Sequence, residues 1–308
     1  MSIIGVFGAT GNIGQHVLSL LISEPTVREI RILTNRPERI GENVLANAKK
    51  DGTKLNIVKG NYCCFEGDNK DIVHQTLNGC KRLFVVLPQS LSSGEMIRAG
   101  NFVSDCAVRA SVECIVRISS LGIDDQSMHY VVGESGNELS SPQGPLGDAH
   151  VAIEAHCRAI GLNQVSLRPT SLFSNIGFNR DELLTKSTIS MPLGTTARVN
   201  WVSCEDVARV ATKVLVAKEW NGFGMTIDIT GPGENTLGAI EMAKLLSKSV
   251  INKSNKQIEY IETNVPPVPD YAGLWKFLRK GGYDCHCDAV ERITGQQGQK
   301  FAELQIVE

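Results

Sequence analysis

The stretch IIGVFGATGNIGQHVLSLLI, residues 3–22, constrains the fold of this chain more than any other. Ile3 to Phe7 is a short apolar run. Gly8, Gly11 and Gly14 follow at a spacing of three, and Val17, Leu18, Leu21 and Ile22 then recur with the period of a helix. The pattern predicts a strand, a glycine turn and a helix. Glycines suit such a turn because the chain must bend tightly, approach a pyrophosphate closely and let the helix pack near the strand. The helix start then offers N–H groups and the positive end of its dipole to phosphates. Dinucleotide binding is the expectation.

The same alternation continues downstream. Ile30 to Leu33, Leu55 to Val58, Leu83 to Leu87, Cys114 to Ile118 and Gln164 to Leu167 read as strands. Ile72 to Leu77, Met96 to Ala110 and the stretch Gly144 to Leu162 read as helices. Short apolar strands alternating with helices specify a parallel sheet covered on both faces. Right-handed crossovers make this a doubly wound, Rossmann-type α/β fold.

After Pro169 the rhythm loosens. Val199 to Val202 reads as a strand, and Ser203-Cys-Glu-Asp206 as a cap for a helix from Val207 to Ala217. Met225 to Ile229 and Ile258 to Ile261 read as strands, and Leu237 to Leu246 as a helix. A last helix runs through Leu274 and Leu278, after the break at Pro266-Pro267. The expected organisation is a dinucleotide-binding domain over 1–169 and a smaller α+β lobe over 170–308 that partly returns to it. Residues 124–143 form a polar, glycine-rich loop, read either as a flap over a site or as inert surface.

Composition narrows the partners. A net charge of -2 supplies no basic field for nucleic acid or anionic lipid. No window approaches the roughly 18 apolar residues of a membrane span. The chain opens directly into MSIIGVFGATG, without a basic stretch or a cleavage site, and carries nine cysteines, an odd number. Reduced thiols and a cytoplasmic location are expected. Cys285-His286-Cys287 lacks a second pair at zinc-finger spacing, so no metal is expected. Cys63-Cys64 reads as a loop pair.

Choice of dinucleotide turns on the end of the second strand, Thr34-Asn35-Arg36. An NAD site usually places an acid there to accept from the ribose 2′-hydroxyl. None is present. Arg36 instead suits a fork onto a 2′-phosphate, with Arg39 as a second charge, so NADP(H) is the expected cofactor. The plain alternative is that Arg36 is a solvated residue at the start of a helix.

The helix at Gly144 to Leu162 places Leu146, His150, Ile153 and Cys157 on one stripe. In a large class of nucleotide-cofactor oxidoreductases such a stripe holds a tyrosine and a lysine four residues apart. Here the spacing holds Leu146 and His150. Leucine donates no proton. An imidazole with an ordinary pKa near 6.5 does so readily at neutral pH. His150 therefore reads as a catalytic group, as a hydrogen-bonding partner of ribose or backbone, or as a satisfied core residue.

Taken together, GATGNIG, Gly60-Asn-Tyr62, FVVLPQS (84–90), RISSLG (117–122) and Pro145-Leu146 with Asp148-x-His150 and Glu154 carry a family resemblance. So do LRPTSLFSN (167–175), WVSCEDVA (201–208), ITGPG (229–233) and AVERITG (289–295). The chain resembles the NmrA-like group of atypical short-chain dehydrogenases/reductases, nearest the branch containing NADPH:quinone oxidoreductase 2 and triphenylmethane reductase. That resemblance implies cofactor contacts by Gly8, Thr10, Gly11, Asn12, Ile13 and Gly14, with Asn35 and Arg36 facing the adenosine phosphate. It further implies that Leu87, Pro88 and Gln89 line the cofactor beyond the fourth strand, and Ser119 and Ser120 beyond the fifth. Pro169, Thr170 and Phe173 are implied near the nicotinamide, Phe173 on the substrate side. Tyr130 in the loop is a further substrate-side candidate, with His129 beside it; both read equally as surface residues. Asn61 departs from the aspartate that relatives often carry.

Two readings of function remain open on sequence grounds. One is an NADPH-dependent reductase of quinone-like or other conjugated small molecules. The other is a non-catalytic NADP(H)-sensing regulator with a protein partner, like the family's founding member. Leu146 favours sensing; the Pro145-Leu146-x-x-x-His150 pattern groups the chain with the reductases. A sugar-nucleotide epimerase ranks third, because its chemistry needs the absent tyrosine and lysine.

Overall fold

The structure, a computed structural model, describes residues 2–65, 69–123, 141–219, 226–248, 257–266 and 271–303. The chain divides into two compact units interleaved in sequence. The first comprises Met1–Ser119, Ala152–Arg168 and Val207–Ile227, the second Ser120–Val151, Pro169–Asp206 and Asp228–Glu308. Position 169, where the sequence reading divides the chain, is one of several crossings between them.

The first half of the chain runs β1 (Ser2–Phe7), α1 (Gly14–Ile22), β2 (Val27–Thr34), α2 (Glu42–Asp51), β3 (Lys54–Lys59), α3 (Asn69–Leu77), β4 (Arg82–Val85), α4 (Ser93–Arg109) and β5 (Cys114–Ile118). It continues with α5 (Pro145–Ala159), β6 (Gln164–Pro169), β7 (Ser171–Leu172), α6 (Arg180–Lys186), β8 (Thr188–Met191) and β9 (Arg198–Val202). Last come α7 (Cys204–Val216), β10 (Thr226–Ile229), β11 (Thr236–Gly238), α8 (Ala239–Lys248), β12 (Glu259–Glu262), α9 (Ala272–Arg279) and α10 (Ala289–Thr294).

Seven strands form the main sheet in the order β10-β6-β5-β4-β1-β2-β3. The pairings from β3 through β6 are parallel, with Phe7 opposite Leu33 on one side and Val85 on the other. Strand order reverses between β1 and β4, the switch point at which ligands bind in doubly wound sheets. Ile4, Val6, Phe7, Ile30, Ile32, Leu33, Leu83 and Phe84 are buried. This is why the strands read as continuous apolar runs rather than alternating ones.

Val17, Leu18, Leu21 and Ile22 form the buried face of α1, as their spacing predicts. Helix α2 is absent from the sequence reading for a physical reason: Ala48 is its one buried residue, so it carries almost no apolar period. Helix α4 starts on a reciprocal cap. The Glu95 amide donates to Ser92 Oγ at 3.4 Å, and the Ser92 amide donates to Glu95 Oε2 at 2.8 Å.

Within the second unit, β11-β9-β7 form one small sheet and β12-β8 another. The predicted cap at 203 is present, with the Asp206 amide donating to Ser203 Oγ at 2.9 Å. The helix predicted from Leu237 starts at Ala239 instead. Thr236–Gly238 pair antiparallel with β9, because tertiary pairing overrides a short helical period. Phe301, near the end of the described chain, packs edge-on to Phe173 at 5.2 Å and against Trp201 at 5.8 Å. Among the described residues, no helix is long and apolar enough to cross a membrane.

One buried carboxylate ties three elements of the first unit. Glu154 on α5 receives Arg168 Nη2 from β6 at 2.7 Å and Arg117 Nη1 from β5 at 3.4 Å. Ser119 Oγ donates to the same carboxylate at 2.7 Å, and Gln164 Nε2 caps the Glu154 carbonyl at 3.0 Å. Burial pulls the Arg117 guanidinium below its usual range, while the facing carboxylate opposes that shift. Removing the charge from a buried ion cluster costs more than the cluster itself contributes. Glu154→Gln is therefore expected to lose about 3–5 kcal/mol of stability, read as a lower urea midpoint at unchanged slope. A loss below about 1 kcal/mol would show that the arginines do not depend on this carboxylate.

Candidate functional site

The three glycines of the first turn do different work. Gly8 has φ +89°, a region open to glycine, and an added Cβ would lie 2.4 Å from Val86 Cγ1. Gly14 keeps ordinary helical angles, but a Cβ there would lie 2.0 Å from the Gly8 carbonyl oxygen. Gly11 has neither problem. Its φ is not positive, and a Cβ would meet only the Gly8 carbonyl oxygen, at 3.3 Å. The packing reason thus holds at Gly8 and Gly14, and the unusual-angle reason at Gly8 alone. Gly11 is exposed; its amide donates to the Gly8 carbonyl at 3.0 Å and its carbonyl accepts from the Gln15 amide at 3.1 Å.

The turn rests on a tyrosine. Tyr62 OH donates to the Val86 carbonyl at 2.9 Å, and its ring stacks on Phe7 at 5.2 Å. Burial pushes the phenol above its usual range. Helix α1 begins with no side-chain cap at Ile13 and no acidic residue in its first turn. An uncapped start with no acid in its first turn fits an anion. Ile13 is itself buried, Thr10 is half-buried and Asn12 exposed.

Other candidates of the first unit follow the carboxyl ends of neighbouring strands, on the same edge of the parallel sheet. Asn35 and Arg36 follow β2 and are exposed. The Arg36 amide donates to Thr34 Oγ1 at 3.1 Å, which fixes the backbone and leaves the guanidinium reaching outward. Leu87, Pro88 and Gln89 follow β4; Leu87 is half-buried and the other two exposed. Ser119 follows β5 and is buried against Glu154. Asn61, after β3, turns its side chain to the Cys63 amide at 3.0 Å.

The second unit holds the remaining candidates. Ser120, Gln143 and Tyr283 form a closed ring of hydrogen bonds. Ser120 Oγ lies 2.9 Å from Gln143 Oε1 and 2.8 Å from Tyr283 OH, and Gln143 Nε2 lies 3.4 Å from Tyr283 OH. Gln143 Nε2 also donates to the Leu121 carbonyl. Burial pushes the Tyr283 phenol up to about 12. Thr170 Oγ1 donates to Asn200 Oδ1 at 3.1 Å, and the Pro169 carbonyl accepts from the Leu121 amide at 3.3 Å. Phe173 is buried with Trp201 and Phe301 in the core of this unit. His150 and Leu146 are both buried on α5. Tyr130 and His129 lie outside the described residues.

Three groups are missing from the sequence reading: the Arg117–Glu154–Arg168 cluster, the Tyr62 prop and the Gln143–Tyr283 ring. The first had a signal, since Arg117 interrupts the apolar strand CIVRI and a charge in such a run needs a partner. Tyr283 had none, because it stands in an aperiodic stretch. Among the described residues, no group of three or more His, Cys, Asp or Glu is placed to hold a metal ion. Cys287 is engaged otherwise: its amide donates to Thr230 Oγ1 at 2.8 Å and its thiol to the Asp228 carbonyl at 3.3 Å.

Known proteins share the fold. A nucleoside-diphosphate-sugar epimerase from Staphylococcus aureus has a similar fold, with TM-score 0.74 and 15% identity over 98% of each chain. An NADPH-dependent quinone oxidoreductase from Escherichia coli, complexed with NADPH, gives TM-score 0.72 and 19% identity over 97% of each chain. Prestalk A differentiation protein A of Dictyostelium discoideum is 27% identical over 263 residues, covering 84% of this chain and 72% of that protein. A family model described as NAD(P)H-binding matches residues 8–218, from the first glycine of the turn to the end of α7 and just beyond. The chain belongs to this NAD(P)H-binding family.

Proposed function

We propose that the protein is an NADPH-dependent reductase of quinone-like or other conjugated small molecules, of the NmrA-like kind. The observation that carries the cofactor half is the turn at Gly11, bare and exposed before an uncapped helix, on the sheet edge that also bears Arg36. Bound NADPH supplies a hydride. The chain's own residues bind and orient it: turn and helix amides take the phosphates, and Arg36 takes the 2′-phosphate, with Arg39 nearby.

The acceptor half rests on what α5 lacks. Leu146 offers no acid, so a substrate that must be protonated as it is reduced is poorly served. A conjugated acceptor spreads the charge it receives and takes its proton from water. His150 assists by hydrogen bonding on this reading, and the E. coli quinone oxidoreductase, similar over nearly the whole chain, supports it. A second reading is favoured by that same Leu146 and by the differentiation protein among the relatives: an NADP(H) sensor acting on a protein partner. NADPH consumption against quinones, cationic dyes and enals separates the two, since a sensor turns over none of them.

Four substitutions test the parts. Losing a charge-assisted fork removes roughly 1.5–3 kcal/mol, so Arg36→Ala is expected to weaken NADPH binding about 10- to 100-fold and leave NADH nearly unchanged. Equal effects on both nucleotides in a titration would show that Arg36 does not read the 2′-phosphate.

Gly11→Val is expected to fold and melt near the parent while losing dinucleotide affinity, because its side chain enters the phosphate cradle. Gly14→Ala is expected to lose about 1–3 kcal/mol of stability from the close approach to Gly8. If Gly11→Val keeps its affinity, the cradle is not there.

His150→Ala is expected to lower quinone reduction by roughly 10- to 100-fold, with a smaller change in NADPH affinity. A purely structural histidine predicts a lower melting temperature and unchanged turnover per folded molecule. Rates and melting curves of both proteins distinguish these outcomes.

A further inference from the structure

Tyr62 follows β3 at the far edge of the main sheet, yet its hydroxyl reaches Val86, the residue directly after β4. The strand order β4-β1-β2-β3 puts β1 and β2 between the two. The loop and ring together therefore cross the carboxyl ends of both strands, with the ring stacked on Phe7 at 5.2 Å. The base of this prop is held in place. The Gly60 amide donates to the Thr34 carbonyl at 3.0 Å, the Cys63 amide to Asn61 Oδ1 at 3.0 Å and the Cys64 amide to the Asn61 carbonyl at 3.1 Å.

What the hydroxyl holds is the residue against which the glycine turn bends. The Val86 amide donates to the Phe7 carbonyl at 3.2 Å, and the Val86 carbonyl accepts from Tyr62 OH at 2.9 Å. Gly8 packs on that same carbonyl. A Cβ added to Gly8 would stand 3.0 Å from the Val86 oxygen and 3.2 Å from Tyr62 OH. Burial pushes the phenol above its usual range, so the hydroxyl keeps its hydrogen.

We infer that Tyr62 is a positioning residue for the dinucleotide: its hydroxyl holds Val86, and through Val86 keeps the glycine turn in the arrangement that takes phosphates. This rests on the proposed function, which gives the phosphates to this turn. Without the hydroxyl the Val86 carbonyl loses its donor, and the turn packed on it gains other arrangements. A ligand then binds only the fraction of molecules whose turn is in place, and its apparent affinity falls by that fraction. The loss falls equally on every ligand that uses the turn, whatever it carries at its two ends. Tyr62 differs in this from Arg36, whose removal is expected to leave NADH nearly unchanged.

The test is titration of Tyr62→Phe and the parent with NADPH, NADH and ADP-ribose, which share the pyrophosphate and differ at their ends. The variant keeps the ring on Phe7 and removes only the hydroxyl. All three ligands are expected to weaken by one common factor, about 3- to 10-fold, the worth of one neutral hydrogen bond. Tyr62→Leu removes the ring as well, and is expected to melt lower than Tyr62→Phe while losing no further affinity. The amino acid 4-aminophenylalanine at position 62 restores a donor at the same place, and is expected to bring affinity back toward the parent. A merely structural tyrosine predicts lower melting temperatures with unchanged dissociation constants, and that result overturns the inference while the cofactor reading stands. So does a loss confined to NADPH, a loss of affinity that deepens in step with stability in Tyr62→Leu, or a folded 4-aminophenylalanine protein that binds no better than Tyr62→Phe. Failure of the parent to bind any of the three ligands overturns both.

Discussion

Much of the first unit depends on a single carboxylate. Glu154 stands on α5 and gathers a guanidinium from each of β5 and β6, so a helix and two central strands share one electrostatic anchor. Two arginines and this carboxylate are all buried. Buried charges of this kind depend on further hydrogen bonds, and Ser119 supplies one to the carboxylate and Gln164 one to the Glu154 carbonyl. The anchor therefore does more than hold strands to a helix. It orients the Ser119 hydroxyl, and so decides what the first residue after β5 can offer to anything bound at that edge.

The glycine turn shows the same coupling of packing to chemistry. Gly14 must be glycine because its helix starts against the Gly8 carbonyl, and Gly8 because the chain turns left-handed over Val86. Those two constraints put the start of α1 at the sheet edge with its first turn uncapped and free of acids. Tyr62 braces the turn from β3, because its hydroxyl satisfies the Val86 carbonyl beside Gly8.

How much was legible in the sequence follows the same division. The strand–turn–helix start and the parallel strands were readable because buried strands write continuous apolar runs and α1 a clean 3.6 period. Helix α2 was not readable, since it buries little, and β11 was hidden inside a run that also suits a helix. Of the candidate site, the glycine turn was legible because its tight bend and close packing demand glycine at positions 8 and 14. The polar ring was not. Ser120, Gln143 and Tyr283 come from three distant segments, and no local pattern in sequence records that their side chains meet. Phe173 illustrates the converse: a motif suggests a ligand contact, while its ring is buried against Phe301 and Trp201 in the core.

The missing tyrosine gains its meaning beside these polarities. A short-chain reductase that serves an ordinary ketone needs an O–H at the developing oxygen. Leu146 provides none, and the two serines after β5 have turned their hydrogens inward. Tyr283, a buried phenol of the second unit, has its proton engaged with Ser120 and is held up to about 12 by burial, which opposes its ionisation at neutral pH. Each local feature alone has a plain structural explanation. Of Leu146, Ser120 and Tyr283 in the second unit, the first has no proton to give and the other two have theirs committed to buried partners. On the reductase reading, that scarcity is itself a filter on substrate. It favours acceptors whose reduced form carries its charge over a conjugated system, and it disfavours those whose reduction stalls without an acid at hand.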